Sequence, residues 1–138
     1  MSIVLGWLRT LFKRRPSERI LLGIRGERCA ARFLKKHGYE ILRRNFRTRM
    51  GEIDLIAREG HVLVFVEVKS RREGIPGAAE ASVDKKKQRS LSKTALFFLR
   101  ATGLDHLDCR FDVVTVEFYR NREPSIQVIK DAFSLPYR

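Results

Sequence analysis

The sequence predicts an α/β domain with a central mixed five-stranded sheet flanked by helices, in the order αβββαββ. Three observations carry that expectation. Residues 52–58 and 61–70 (EIDLIAR and HVLVFVEVKS) are apolar, β-rich runs joined by Glu59-Gly60, the signature of a hairpin. Two other stretches, beginning near Ser17 and near Ser82, repeat apolar residues at three- and four-residue spacing, as amphipathic helices do. The second helix lies between the hairpin and another apolar run, residues 110–119, so it serves as a crossover that returns the chain to the central strand in parallel.

The 138 residues suffice for one domain with a real core. Lys and Arg number 29 against 16 Asp and Glu, a formal net charge of +13, so the expected partners are polyanions, nucleic acid before an anionic membrane surface. Cys29 and Cys109 lack zinc-ligand spacing and the density of a disulfide scaffold, and His37, His61 and His106 are scattered. A reducing cytoplasm is the expected compartment. No apolar run approaches the roughly 20 residues needed to span a bilayer.

Residues 1–18 form an N-terminal extension with an apolar body (Ile3, Val4, Leu5, Trp7, Leu8, Leu11, Phe12) and a basic end, the reverse of a signal peptide. Residues 19–138 form the domain. Pro16 interrupts the preceding pattern and Ser17 caps the first helix, whose inward stripe reads Ile20, Ile24, Glu27, Ala31 and Leu34, ending at His37-Gly38. Glu27 in that stripe calls for a basic partner or a metal. Residues 39–48 form a strand with a basic outer face of Arg43, Arg44 and Arg47, continued by Arg49, and complete an antiparallel meander with the hairpin. A Gly/Pro-containing loop, 71–79, leads to a helix capped by Ser82 with Asp84 in its first turn. Its stripe is Lys87, Leu91, Thr94, Ala95 and Phe98, with Gly103 just beyond its end. Lys85, Lys86, Lys87, Gln88 and Arg89 make a cationic start. Lys85 and Lys86 read as solvated, whereas Lys87 and Gln88 lie close enough to the stripe to reach a phosphate or an attacking water. Strands at 110–119 and 125–130 close the fold as a hairpin.

The chemistry sits on the first hairpin. Strand alternation places Glu52, Asp54 and Ile56 on one side, and Leu63, Phe65, Glu67 and Lys69 together on the next strand, opposite Val62, Val64, Val66 and Val68. Glu67 and Lys69 interrupt a run apolar enough for a central, doubly covered strand. Burying them is costly unless they pair or meet a metal ion or phosphate. Asp54 with Glu67-x-Lys69 brings two hard oxygen ligands and a cation to one place, an arrangement suited to phosphodiester cleavage.

GEIDLIA followed by FVEVKSR resembles the divided Asp…Glu-x-Lys signature of the PD-(D/E)xK nuclease superfamily. From about Gly23 onward the chain is similar to the YraN family, carried by Gly26-Glu27, Ala30-Ala31, Asn45-Phe46-Arg47, residues 51–56 and 65–71, Lys87-Gln88-Arg89 and residues 110–114. The resemblance implies a restriction-endonuclease-like fold with Asp54, Glu67 and the Val68 carbonyl binding Mg²⁺ (or Mn²⁺), and Glu27 completing the acidic cluster. It implies that Lys69 orients or activates water and that Gln88 or Lys87 lies near the scissile phosphate. Ile53 stands where the superfamily name expects proline. The expected activity is metal-dependent cleavage of DNA, branched or structured DNA included, with DNA favoured over RNA. Arg43, Arg44, Arg47, Arg49, Arg71, Lys85, Lys86, Lys87 and Arg89 would bind the backbone. Resolvase-like substrates would favour a symmetric homodimer. Two other readings compete: a non-catalytic nucleic-acid-binding module of the same fold, and a purely structural ion-pair network.

Overall fold

The computed structural model describes residues 15–74 and 83–134. Most of the 1–18 extension and Ser82 therefore lie outside the described residues. Helix α1 (Glu18–Lys36) starts where Ser17 Oγ accepts the Ile20 amide at 3.3 Å, with Glu18 in the first turn and Lys35 and Lys36 in the last, each complementing the helix dipole. It ends at His37, whose amide donates to the Phe33 and Leu34 carbonyls, before Gly38 at a φ of +88°. Its buried residues are Gly26, Ala30, Ala31 and Leu34. The expected stripe is thus rotated: Ile20 and Ile24 are 56% and 41% exposed. Close approach to the sheet selects small residues over large apolar ones, and a Cβ on Gly26 would overlap Ser70. Glu27, next to Gly26, is carried to the sheet at the margin of that contact.

Five strands follow: β1 (Glu40–Thr48), β2 (Gly51–Glu59), β3 (Val62–Arg72), β4 (Asp108–Phe118) and β5 (Ser125–Phe133). They lie in sequence order across one sheet, and every neighbouring pair is antiparallel except β3 and β4, which run parallel from Val62↔Asp108 to Arg72↔Phe118. The parallel pair is linked by helix α2 (Lys85–Thr102), since parallel neighbours need a long crossover connection rather than a tight turn. Asp84 caps α2 itself, accepting the Lys87 amide at 2.7 Å, rather than sitting in its first turn, and Gly103 at a φ of +68° closes it.

The two helices cover opposite faces. Ala30, Ala31 and Leu34 of α1 pack on Leu55, Ala57, Val64, Val66, Val114 and Val116. Leu91, Ala95, Phe98 and Leu99 of α2 pack on Ile53, Ile56, Leu63, Phe65, Phe111 and Val113. The alternation expected on β3 therefore holds, and Glu67 and Lys69 continue the face that α2 covers. At the far end of the sheet, a bulge between Phe111 and Val113 is filled by Asp112, whose Oδ1 accepts the Asp131 amide at 3.0 Å and pairs with Arg110 Nε at 2.9 Å. Arg110 also meets Glu59 and Tyr39, and Glu59 meets Lys130, so this network belongs to the scaffold. No helix among the described residues is long and apolar enough to cross a membrane.

Candidate functional site

The site forms where β2 leaves β3. Their ladder runs from Glu59↔Val62 only to Leu55↔Val66; beyond it the Asp54 side chain replaces a ladder bond, its Oδ2 accepting the Val68 amide at 2.8 Å. The two-residue period slips at the same place: Ile53 packs on the α2 face and Leu55 on the α1 face. Strict alternation would put Asp54 with Ile56. Instead, Ile56 is buried under α2, while Asp54 reaches across the opening between strands and is approached from both faces. Opposite Asp54 on the edge strand, Asn45 takes a left-handed φ of 51°, a conformation that asparagine tolerates better than most residues.

From the α2 face comes Glu67, its side chain 14% exposed, with Oε1 3.7 Å from the Lys87 ammonium. Its other oxygen, Oε2, is buried without a hydrogen-bond partner. From the α1 face comes Glu27, which shares a hydrogen bond with Asp54. The Asn45 amide nitrogen, turned toward the carboxylates, donates to Glu27 Oε2 at 2.9 Å and Glu52 Oε1 at 3.2 Å. Arg47 pairs with that same Glu52 oxygen at 3.2 Å. Four acidic side chains thus surround one opening in a strongly cationic protein.

Their ionisation reflects the crowding. Burial, then the charge and hydrogen bond of Asp54, push Glu27 up to about 7. Burial and the Asp54 charge push Glu67 up to about 7, against the opposing pull of Lys87 and Lys69. Asp54 is raised mainly by burial, with the Val68 amide and Lys87 pulling it back. Desolvation and mutual repulsion outweigh the nearby cations here, so Glu27, Asp54 and Glu67 resist ionising.

Among the residues expected at the site, Glu27, Asp54, Glu67, Val68, Lys69 and Lys87 converge. Gln88 is turned to the loop before α2, its Nε2 donating to the Val83 carbonyl at 2.7 Å. Arg71 is half-buried against Glu117 at 2.8 Å. Arg43, Arg44, Arg47 and Arg49 are exposed on and beside β1, as are Lys85, Lys86 and Arg89 on the first turns of α2. Arg44 joins Arg28, Glu27 and Asn45 around a cleft of about 200 Å³ that opens from the acidic cluster. Asn45 and Glu52 join the site without having been among its expected residues. An asparagine amid arginines in a strand was the available signal for the first, because such a residue weakens a strand without a special backbone task.

Among the described residues, no three His, Cys, Asp or Glu side chains stand ready to hold a metal by themselves. Mg²⁺ asks for less, since it binds through one or two carboxylates together with water and substrate oxygens. Asp54, Glu67 and the Val68 carbonyl are a hard-oxygen set of that kind, and the orphaned Oε2 of Glu67 fits a cation better than it fits burial alone.

Residues 26–116, which include this whole cluster, match the model of "Uncharacterised protein family UPF0102". The chain is 46% identical over 123 residues to a UPF0102 protein of Syntrophus aciditrophicus, an alignment covering 89% of this chain and 96% of that one. It is 44% identical over 117 residues to one of Geobacter sulfurreducens, covering 85% and 91%. With one of Caldicellulosiruptor saccharolyticus it shares 46% over 113 residues, covering 81% and 96%.

Proposed function

The chain belongs to the uncharacterised protein family UPF0102, and from that premise we propose that it is a divalent-metal-dependent nuclease hydrolysing phosphodiester bonds of DNA, branched or structured DNA included. One observation carries the reading: Glu27, Asp54 and Glu67 crowd the opening between β2 and β3, with a buried Glu67 oxygen left without a partner. Gathering carboxylates against their own repulsion is unfavourable unless a cation completes the group.

Asp54, Glu67 and the Val68 carbonyl would hold Mg²⁺ or Mn²⁺, which when bound offsets negative charge developing on the scissile phosphate. The side chains of the protein supply the remaining functions. Lys69, on the same face of β3 as Glu67, orients the attacking water and stabilises charge on the phosphorus oxygens. Lys87 lies in the first turn of α2, where the helix dipole adds to its attraction for a phosphate. Glu27, hydrogen-bonded to Asp54, would complete the acidic cluster from α1. Arg43, Arg44, Arg47, Arg49, Lys85, Lys86 and Arg89 hold the backbone without reading sequence.

The test pairs cleavage with binding. Linear, nicked, flapped and four-way DNA are incubated with Mg²⁺ or Mn²⁺ and the wild type, Glu67→Gln or Lys69→Ala. Cleavage is expected from the wild type alone, while metal-dependent thermal stabilisation persists in Lys69→Ala and disappears in Glu67→Gln. DNA affinity in EDTA should fall with salt at a slope of about −0.9 per phosphate contacted. Salt-sensitive binding without cleavage or metal response would favour the non-catalytic module instead.

A further inference from the structure

A second cleft, of about 450 Å³, lies along the outer face of α2 and is lined by Met50, Lys93, Leu96, Phe97, Arg100 and Ala101. Its floor is apolar and unusually open: Phe97 is 49% and Met50 42% exposed. A single exposed apolar side chain needs no explanation, but here two large ones meet at a concave surface. Both are held in place. The Phe97 ring sits 6.3 Å from that of Phe46, which itself packs edge-on against Phe98. Met50 belongs to the β1–β2 turn, and that turn is fastened to α2 by the Ser90 hydroxyl donating to the Met50 carbonyl at 2.7 Å. Gly51 lets the turn come so close that a Cβ there would overlap Ser90.

The charges around this floor have one sign. Lys93 and Arg100, seven residues apart and so on one face of the helix, are the charged residues lining the cleft, with no carboxylate among them. The helix that carries them also carries Lys87, beside Glu67. Phe97 is ten residues further on, about 15 Å along the helix axis, or roughly four nucleotide steps at duplex spacing. A fixed aromatic face flanked by cations, on the same helix as Lys87, matches the chemistry of an unpaired base on its phosphate backbone, since every base offers a π-face and every linkage an anion.

We propose that the Met50–Phe97 cleft stacks an unpaired base of a DNA strand whose phosphates lie along Lys93 and Arg100, so that the substrate carries a single-stranded arm about four nucleotides from the cleaved bond. This rests on the nuclease reading for the word substrate, but the stacking itself does not require cleavage.

Binding is therefore measured in EDTA by fluorescence anisotropy. The probes are a labelled 12-nucleotide single strand, a flush duplex, and the same duplex with a single-stranded arm containing 2-aminopurine. Phe97→Ala is expected to weaken binding of the single strand and of the armed duplex about tenfold, to relieve 2-aminopurine quenching, and to leave the flush duplex unchanged. Phe97→Trp should keep all three properties, and Lys93→Gln with Arg100→Gln should lower the salt slope for single strands by about 0.7 each. These results would stand even if no DNA were ever cleaved, in which case only the nuclease reading falls. Equal affinities for wild type and Phe97→Ala on every probe would overturn the proposal. So would a folded Phe97→Ala protein whose sedimentation shows loss of a dimer, or whose melt shows a large loss of stability, because the cleft would then be covered by a second copy or by another part of this chain.

Discussion

Replacing Glu67 by glutamine should stabilise the metal-free protein at pH 8 and change little at pH 5. Glu67 is pushed from 4.5 to about 7, chiefly by burial and by the Asp54 charge. Because its folded-state value lies above the unfolded one, the folded protein holds this proton more tightly. The stability so gained is complete below about pH 4.5 and is lost as the pH rises through about 7. Moving from 4.5 to about 7 sets a penalty of up to ~3 kcal/mol for ionised Glu67 at pH 8. That is an upper bound, since Glu27 and Asp54 share the same repulsion. Glutamine keeps the shape and removes the charge, but forfeits the ion pair with half-exposed Lys87, about 0.5 kcal/mol. The net expectation is a gain of about 1–3 kcal/mol, or roughly 3–10 °C in melting temperature for a domain of this size. Urea and thermal melts in EDTA at both pH values measure it. A loss of about 3–5 kcal/mol at pH 8 would mark Glu67 as one half of a buried structural ion pair and refute the reasoning. A gain of equal size at pH 5 and pH 8 would refute the electrostatic cause.

Mg²⁺ should raise the wild-type melting temperature by an amount that grows with pH up to about 7, because protons and metal compete for Glu67; ~2.7 kcal/mol is expected at a hundredfold excess over Kd. Asp54→Asn should abolish that shift, and a response independent of pH between 6 and 8 would count against it. Asp112→Asn should cost about 3–5 kcal/mol in urea melts, since the side chain is fully buried between Arg110 and the Asp131 amide, yet DNA affinity per folded molecule should not change. Gly26→Ala should lose about 1–3 kcal/mol by driving α1 off Ser70, and Ser70→Gly in the same chain should recover part of it; an unchanged melt would contradict the close helix–sheet contact.

The sequence by itself determined the αβββαββ order, the parallel return through α2 and the face of β3 that bears Glu67 and Lys69. Those features follow from periodicity, glycine placement and the rules of chain connection, which are local or nearly so. It also singled out Asp54, Glu67, Lys69 and Glu27, because charges in apolar runs are conspicuous wherever they stand. What it misjudged depended on how close two elements come. The α1 stripe of Ile20 and Ile24 was plausible by hydrophobicity, but the helix approaches along Gly26 and Ala30 because Ser70 leaves no room for a larger residue. The alternation assumed on β2 broke at Asp54, where the strand leaves its partner and a side chain takes over a backbone bond. That slip lets Glu27, carried by α1 on one face, and Glu67, on the face of β3 that α2 covers, meet at one opening. Only the tertiary structure could decide this, because whether two distant carboxylates repel depends on their separation in space, and strand period fixes direction without fixing distance.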